Sequence, residues 1–245
     1  MERKKQSLFK RIAIGAIATV SGLAGIVNAE NNANPLRASL ESNLVSEWVT
    51  PSGMHWAGTS SQNTLYVSKG PFSGFVWYSQ GLGKEDNEKI ELDQWMGYDH
   101  KINDNLSLSV HGTVWNYTCE GDWYHDILAN ATLSYKGPID AKIGVLHMFA
   151  HDGRPDGESI SASISKTFPL GKINGADVSV TPELCSAYTR DFYGVDGFQH
   201  VSPGLSVKVG KGPLSINGFV KRQFSLNDET AESFTFGGVG ASYEW

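Results

Sequence analysis

From about residue 38 to the C-terminus the chain alternates between apolar and polar side chains. In Leu106-Ser107-Leu108-Ser109-Val110-His111-Gly112-Thr113-Val114 the even positions are mostly apolar and the odd ones mostly polar. In Ile127-Leu128-Ala129-Asn130-Ala131-Thr132-Leu133-Ser134-Tyr135 the odd positions are apolar, and Ser159-Ile160-Ser161-Ala162-Ser163-Ile164-Ser165 alternates without exception. A strand sends successive side chains to opposite faces, so each segment has one apolar and one polar face. Little 3.6-residue periodicity competes with this pattern. The alternation predicts about twelve strands, near 38–50, 58–69, 72–81, 88–99, 105–118, 124–136, 139–151, 157–169, 176–189, 200–210, 213–225 and 232–245. Eight or ten strands result if some segments form hairpins outside a membrane.

The connections carry a second regularity. Lys69-Gly70-Pro71, Lys136-Gly137-Pro138 and Lys211-Gly212-Pro213 repeat one tight turn, each between an even-numbered strand and the next odd one. Gly and Pro supply the backbone angles that sharp reversals require. The other even-to-odd connections, around Lys101–Asp104 and Leu170–Gly175, are also short and carry Lys. The odd-to-even connections, such as Gly83–Glu88, Asp152–Asp156 and Asn227–Glu232, are richer in acid. One assumption, an N-terminus starting in the periplasm, puts the tight turns inside and the acidic loops outside, as expected of an outer-membrane barrel. A soluble sandwich has no reason to sort its turns in this way.

The final segment, Val239-Gly240-Ala241-Ser242-Tyr243-Glu244-Trp245, alternates up to a terminal aromatic residue. That ending resembles the C-terminal signal of outer-membrane barrels and implies recognition by the barrel-assembly machinery through Trp245. Lipid offers no hydrogen bonds to the backbone, so a sheet crosses it only if every edge is paired. The strand near Leu40–Leu44 is therefore expected to meet the strand ending at Trp245. The fold expected is all-β: a single antiparallel transmembrane β-barrel occupying residues 30–245.

The start of the chain differs. Arg3, Lys4, Lys5, Lys10 and Arg11 precede an apolar run from Ile12 to Val27, and Val27-Asn28-Ala29 ends it with a small residue. This is the three-part pattern of a secretory signal peptide, residues 1–29. The run falls short of the roughly 20 residues of a spanning helix. Its removal lowers Lys+Arg from 20 to 15 and Asp+Glu from 26 to 25, so the net charge moves from −6 to −10. No sequence-wide basic surface for nucleic acid remains. Mean hydropathy of −0.27 is too low for a bundle of membrane helices, and 40% hydrophobic residues are too many for a disordered chain. Export permits a disulfide between Cys119 and Cys185, but sequence does not place the two within bonding distance.

The stretch Gly74-Phe75-Val76-Trp77-Tyr78, followed by Glu91-Leu92-Asp93-Gln94-Trp95-Met96-Gly97-Tyr98, resembles a run in the Gcw-type outer-membrane/porin-like family. The resemblance covers the central strands, and elsewhere only the architecture. It implies a barrel with a role in permeation and supplies no catalytic residues.

The alternation also assigns the lumen. If Ile90, Leu92 and Met96 face lipid, then Glu91, Asp93 and Trp95 face inward. His111, Thr113 and Trp115 follow on the next strand, then Asp126 and Asn130, then Lys142. Glu41, Glu47, Glu183, Lys208 and Lys221 are further inward candidates. A charge on the lipid face costs roughly 2–4 kcal/mol for Arg or Lys at the midplane, which favours the lumen for all of them. An opposed acid and base lining selects solutes by charge; the same residues can also form a salt-bridged filling.

The residues allow three further readings. His111 with Ser107 or Ser109, and Asp93 or Asp126, has the residue types of a hydrolytic triad, although alternate Ser and one His suit any polar face. Asp152–Gly157 has calcium-binding residue types without the spacing of a calcium loop. Trp123, Tyr124, Phe192 and Tyr193 suit either sugar stacking or an interfacial girdle. The expectation is thus a porin-like channel for small hydrophilic solutes in the outer membrane, with no cofactor, metal or catalytic residues. The alternatives are a non-conducting structural or adhesive barrel and a barrel esterase.

Overall fold

The computed structural model describes residues 35–50, 52–83, 89–119, 122–150, 155–227 and 231–245, without the side chain of Cys119. Residues 1–29, read as a signal peptide, lie outside the described residues, as do 84–88, 120–121, 151–154 and 228–230 of the acidic connections.

The strands are β1 (Arg37–Val45), β2 (Trp48–Val49), β3 (His55–Ala57), β4 (Ser60–Lys69), β5 (Phe72–Gly81), β6 (Ile90–Lys101), β7 (Leu106–Cys119), β8 (Asp122–Tyr135), β9 (Asp140–Met148), β10 (Gly157–Ser165), β11 (Phe168–Ile173), β12 (Ala176–Phe192), β13 (Val195–Lys211), β14 (Leu214–Ser225) and β15 (Phe234–Glu244). All but β2 and β3 join one antiparallel sheet in the order β10-β9-β8-β7-β6-β5-β4-β1-β15-β14-β13-β12-β11. β10 also pairs with β12, from Glu158↔Arg190 to Ser165↔Glu183, and β11 continues along β12 from Phe168↔Val180 to Ile173↔Ala176. β10 and β11 are thus two pieces of one strand, and the sheet closes as a twelve-stranded barrel. The interruption faces Pro182, which has no N–H to give to the ladder.

The first and last strands meet. Leu40 pairs with Tyr243 and Leu44 with Val239. The Trp245 N–H donates to the Ala38 carbonyl at 3.0 Å, and the Ala38 N–H to the Trp245 carbonyl at 3.1 Å. The chain ends of the barrel lie at the same rim as the tight turns, here called the turn end; the opposite rim is the loop end. Gly70 and Gly212 adopt φ +59°, a left-handed angle open to glycine, whereas Gly137 of the third Lys-Gly-Pro turn keeps a negative φ.

The outer face is apolar. Met96 is 79% exposed, Val239 61% and Ile216 58%, and comparable side chains recur around the cylinder. A continuous exposed apolar surface of this extent has no place in water. Wrapped round a sheet with no open edge, it is the belt of a transmembrane barrel.

Two connections differ from the sequence reading. The first strand leaves the wall at Val45, and β2 and β3 form a separate hairpin where 46–50 was expected to continue the strand. The Leu170–Gly175 connection shrinks to Asn174-Gly175, both at positive φ, because β11 extends to Ile173.

Candidate functional site

The pairing registers trace the inward face from strand to strand. One inward row runs Phe75–Trp95–Thr113–Leu128–Met148, and the next toward the loop end runs Trp77–Asp93–Trp115–Asp126. In the loop half this face is sealed from solvent, with Ser60, Ser79, Thr113, Asp126, Gln199 and Gln223 each at most 3% exposed. Side chains of this polarity are buried there because other parts of the chain fold into the lumen.

The larger insertion is the β2–β3 hairpin. Its reversal is held by the Thr50 N–H donating to the Met54 carbonyl and the Gly53 N–H to the Thr50 carbonyl, both at 2.9 Å. Trp48 packs edge-on against Trp56 and against Trp77 of β5, and Trp56 edge-on against Tyr117 of β7, with ring centroids 6.3, 5.6 and 5.5 Å apart. Met54 and Trp56 rest on a buried cluster of Trp115, Tyr117, Leu128, Leu146, Met148 and Phe192. At the tip, Gln223 of β14 donates to the Gly53 carbonyl at 2.7 Å. Gly53 has φ +88°, and a Cβ there would run into the His200 ring of β13. The hairpin therefore crosses the lumen from the β5–β7 wall to the β13–β14 wall. Lys89 also donates to the Trp56 carbonyl at 2.5 Å.

The β12–β13 turn inserts from the other side. Phe192 is 1% exposed and meets Trp115 edge-on at 6.4 Å. Tyr193, at φ +53°, donates to Asp126 Oδ2 at 2.5 Å, and Tyr117 donates to the same oxygen at 2.8 Å. Burial first, and then the Asp126 carboxylate, push the Tyr193 phenol upward, so it remains a donor.

Among the described residues five buried polar side-chain atoms have no hydrogen-bond partner, one on the hairpin, Trp56 Nε1, and four on the β5–β7 wall that the hairpin packs against, Ser79 Oγ, Asp93 Oδ1, Trp95 Nε1 and Thr113 Oγ1. Each such atom costs about 1–3 kcal/mol. They lie among the carboxyls of Glu91, Asp93 and Asp126, with Ser79 opposite Glu91 and Thr113 opposite Trp95.

The turn half is different in character. Lys142 and Lys208 sit on the inward register and are exposed. Lys221 and Glu183 form an ion pair at 2.5 Å, and Asn43 donates to Glu41 at 2.9 Å. Ser73 and Ser109 both donate to Asp99, at 2.7 and 2.5 Å. His111 Nε2 lies 3.5 Å from Ser73 Oγ and 3.8 Å from Asp99 Oδ1. A triad needs the imidazole to face its nucleophile with one nitrogen and its acid with the other. Here one nitrogen faces both Ser73 and Asp99, and Ser109, a nucleophile considered from sequence, donates to Asp99 and not to His111, so that relay is not assembled, and its acids Asp93 and Asp126 lie further toward the loop end.

The structure brings Glu91, Asp93, Trp95, Trp115 and Asp126 together on one wall, with His111 and Asn130 one row nearer the turn end. Lys142, Glu183, Lys208 and Lys221 fall on the other wall. Glu47 lies beyond β1, on the hairpin segment, where it meets His55 at 2.7 Å. Cys185 carries a free thiol near the Ser202 carbonyl, so no Cys119–Cys185 disulfide is formed. Residues 152–154 of the calcium-like turn lie outside the described residues. Sequence reasoning missed Trp48, Trp56, Phe192 and Tyr193 as lumen residues. The signal was the density of Trp around a Pro-Ser-Gly break at 51–53, which a strand of the wall does not tolerate.

No family model matches the chain, so the Gcw-type likeness of residues 74–98 rests on its motifs alone. No curated protein sequence matches it either. The fold is similar to the solved KdgM porin, with a TM-score of 0.54 and 11% identity over 84% of this chain and 98% of that one. A KdgM porin in complex with disordered oligogalacturonate matches at 0.54 and 10% identity, over 84% and 98%. LpxR from Salmonella typhimurium matches at 0.55 and 8% identity, over 84% and 99%. At these identities the likeness shows the twelve-stranded barrel fold.

Proposed function

We propose that the chain is an outer-membrane, porin-like channel for small hydrophilic solutes, with the β2–β3 hairpin as its constriction. The observation that carries this reading is a polar lumen, open to solvent over its turn half, inside a closed cylinder with an apolar exterior. In the membrane the turn end is periplasmic and the loop end extracellular, which puts the short turns and long loops on the sides usual for such barrels. Export follows from residues 1–29, and insertion from recognition of the strand that ends in Trp245.

Selectivity arises from the two walls. Glu91, Asp93, Asp99 and Asp126 lie on the β6–β8 side, and Lys142, Lys208 and Lys221 on the β9–β14 side. Opposed charges across a narrow lumen orient dipolar solutes and exclude apolar ones. The test is stepwise conductance of the folded, purified protein in planar bilayers. Discrete openings are expected, and their absence from correctly folded protein overturns the reading.

The burial of the loop half favours one second reading, a non-conducting barrel that acts through its outer loops. The two part on the intact protein: a channel shows discrete openings with the hairpin in place, whereas a non-conducting barrel conducts only once the hairpin is removed.

A further inference from the structure

We propose that the seam between the β2–β3 hairpin and the β5–β8 wall is a binding site for small solutes bearing an ammonium group beside oxygen acceptors. The inference deepens the channel reading by naming the solute class that its constriction takes.

Two independent observations carry it. The first is the set of carboxyls. Glu91 and Asp93 are two residues apart on the inward face of β6, and Asp126 enters the same patch opposite Trp115, which itself sits opposite Asp93. The rings of Trp77, Trp95 and Trp115 flank them, since Trp77 and Trp115 sit directly opposite Asp93 on the two neighbouring strands. Carboxylates among indole faces attract a cation both by charge and through the ring quadrupole.

The second observation is the unpartnered set. Asp93 Oδ1 is an acceptor with no donor, Trp56 Nε1 and Trp95 Nε1 are donors with no acceptor, and the Ser79 and Thr113 hydroxyls can serve as either. Ser79 and Thr113 are 0% and 3% exposed, so bulk water does not relieve them. Buried polar atoms in folded proteins are nearly always partnered. Five unpartnered atoms along one seam mark a surface whose partners come from outside the chain. Their pattern asks for a donor at Asp93 and acceptors at the two indoles, which an amino sugar or amino polyol offers together. A neutral sugar satisfies the indoles but leaves the carboxyls without a counter-charge. A simple metal ion satisfies the carboxyls but not the indole donors.

The site is reached from the turn half, where Asp99 and His111 on the same wall are partly open. Entry displaces Trp56 from the wall. The partly buried indole then changes its surroundings, which makes tryptophan emission the natural signal.

The experiment is a fluorescence titration of the full folded protein in detergent with glucosamine, with glucose as the neutral isostere. Glucosamine is expected to give a saturable shift, with glucose at least tenfold weaker, and Asp93→Asn is expected to erase the difference. Equal responses to both sugars, or no saturable shift with glucosamine, overturn the proposal. The comparison of two ligands on the unaltered protein stands even if Asp93→Asn fails to fold. Bilayer conductance on the same preparation separates the two readings. A conducting barrel without amine preference defeats the binding site alone. A silent barrel that binds glucosamine keeps the site and defeats the channel.

Discussion

The two halves of the lumen are built from the same strands and yet differ in kind. In the turn half the inward positions are mostly small polar or charged, with Asp99, Glu183 and Lys221 among them, and Lys142 and Lys208 stay exposed. In the loop half the same strands present Trp77, Asp93, Trp115 and Asp126, and the hairpin buries them. A cylinder of twelve strands is wider than its own side chains can fill. One half remains a vestibule because none of the described segments enters it, and the other closes because Trp48, Trp56 and Phe192 do. The pore properties of this barrel therefore reside in its inserted segments more than in its strand count.

The largest expected effect comes from removing that difference. Replacement of residues 48–57 by a short Gly-Ser linker should raise single-channel conductance several-fold while heat-modifiable migration on gels remains that of a folded barrel. Next is a test of the wall shared by both halves. Val207 faces outward and is 41% exposed, and Val207→Arg should destabilise the barrel by about 2–4 kcal/mol if it lies near the bilayer midplane. Ser206→Arg, one residue away on the inward face, should cost far less, as measured by urea unfolding in lipid vesicles. A smaller effect is expected at the hairpin tip. Gln223→Ala removes the donor to the Gly53 and Glu232 carbonyls and should cost about 1–3 kcal/mol, with more frequent conductance fluctuations. The smallest effect belongs to the vestibule. Lys208→Glu should move the reversal potential in a salt gradient toward cation preference by a few millivolts, and the shift should fade near 1 M salt, where the screening length is about 3 Å.

Much of the wall was legible in the sequence. Each of the twelve alternating segments corresponds to a barrel strand, and the three Lys-Gly-Pro repeats all fall at the turn end. The reason is physical. A wall strand faces lipid on one side and polar groups on the other, and period-two alternation records that. The plug has no such record. Trp48-Val49 and His55-Trp56-Ala57 are too short to show a period, and their burial comes from strands far away in sequence, at Tyr117, His200 and Gln223. Tyr193 is hidden for another reason, because a left-handed non-glycine residue in a turn has no sequence signature. The break between β10 and β11 lies between these cases. Pro182 marked a weak point in a ladder, but only the pairing of β12 with both pieces shows that the two form one strand.

The central claim is that the hairpin seals the loop half while the turn half stays open, and thiol accessibility tests it most directly. In a background with Cys119→Ser and Cys185→Ser, the variants Ser79→Cys and Lys142→Cys are each exposed to a small anionic methanethiosulfonate reagent, which the acidic seam does not admit, with and without the hairpin. The account predicts fast labelling at position 142 in both forms, and labelling at position 79 only once the hairpin is gone. Equally fast labelling at position 79 with the hairpin in place would contradict it.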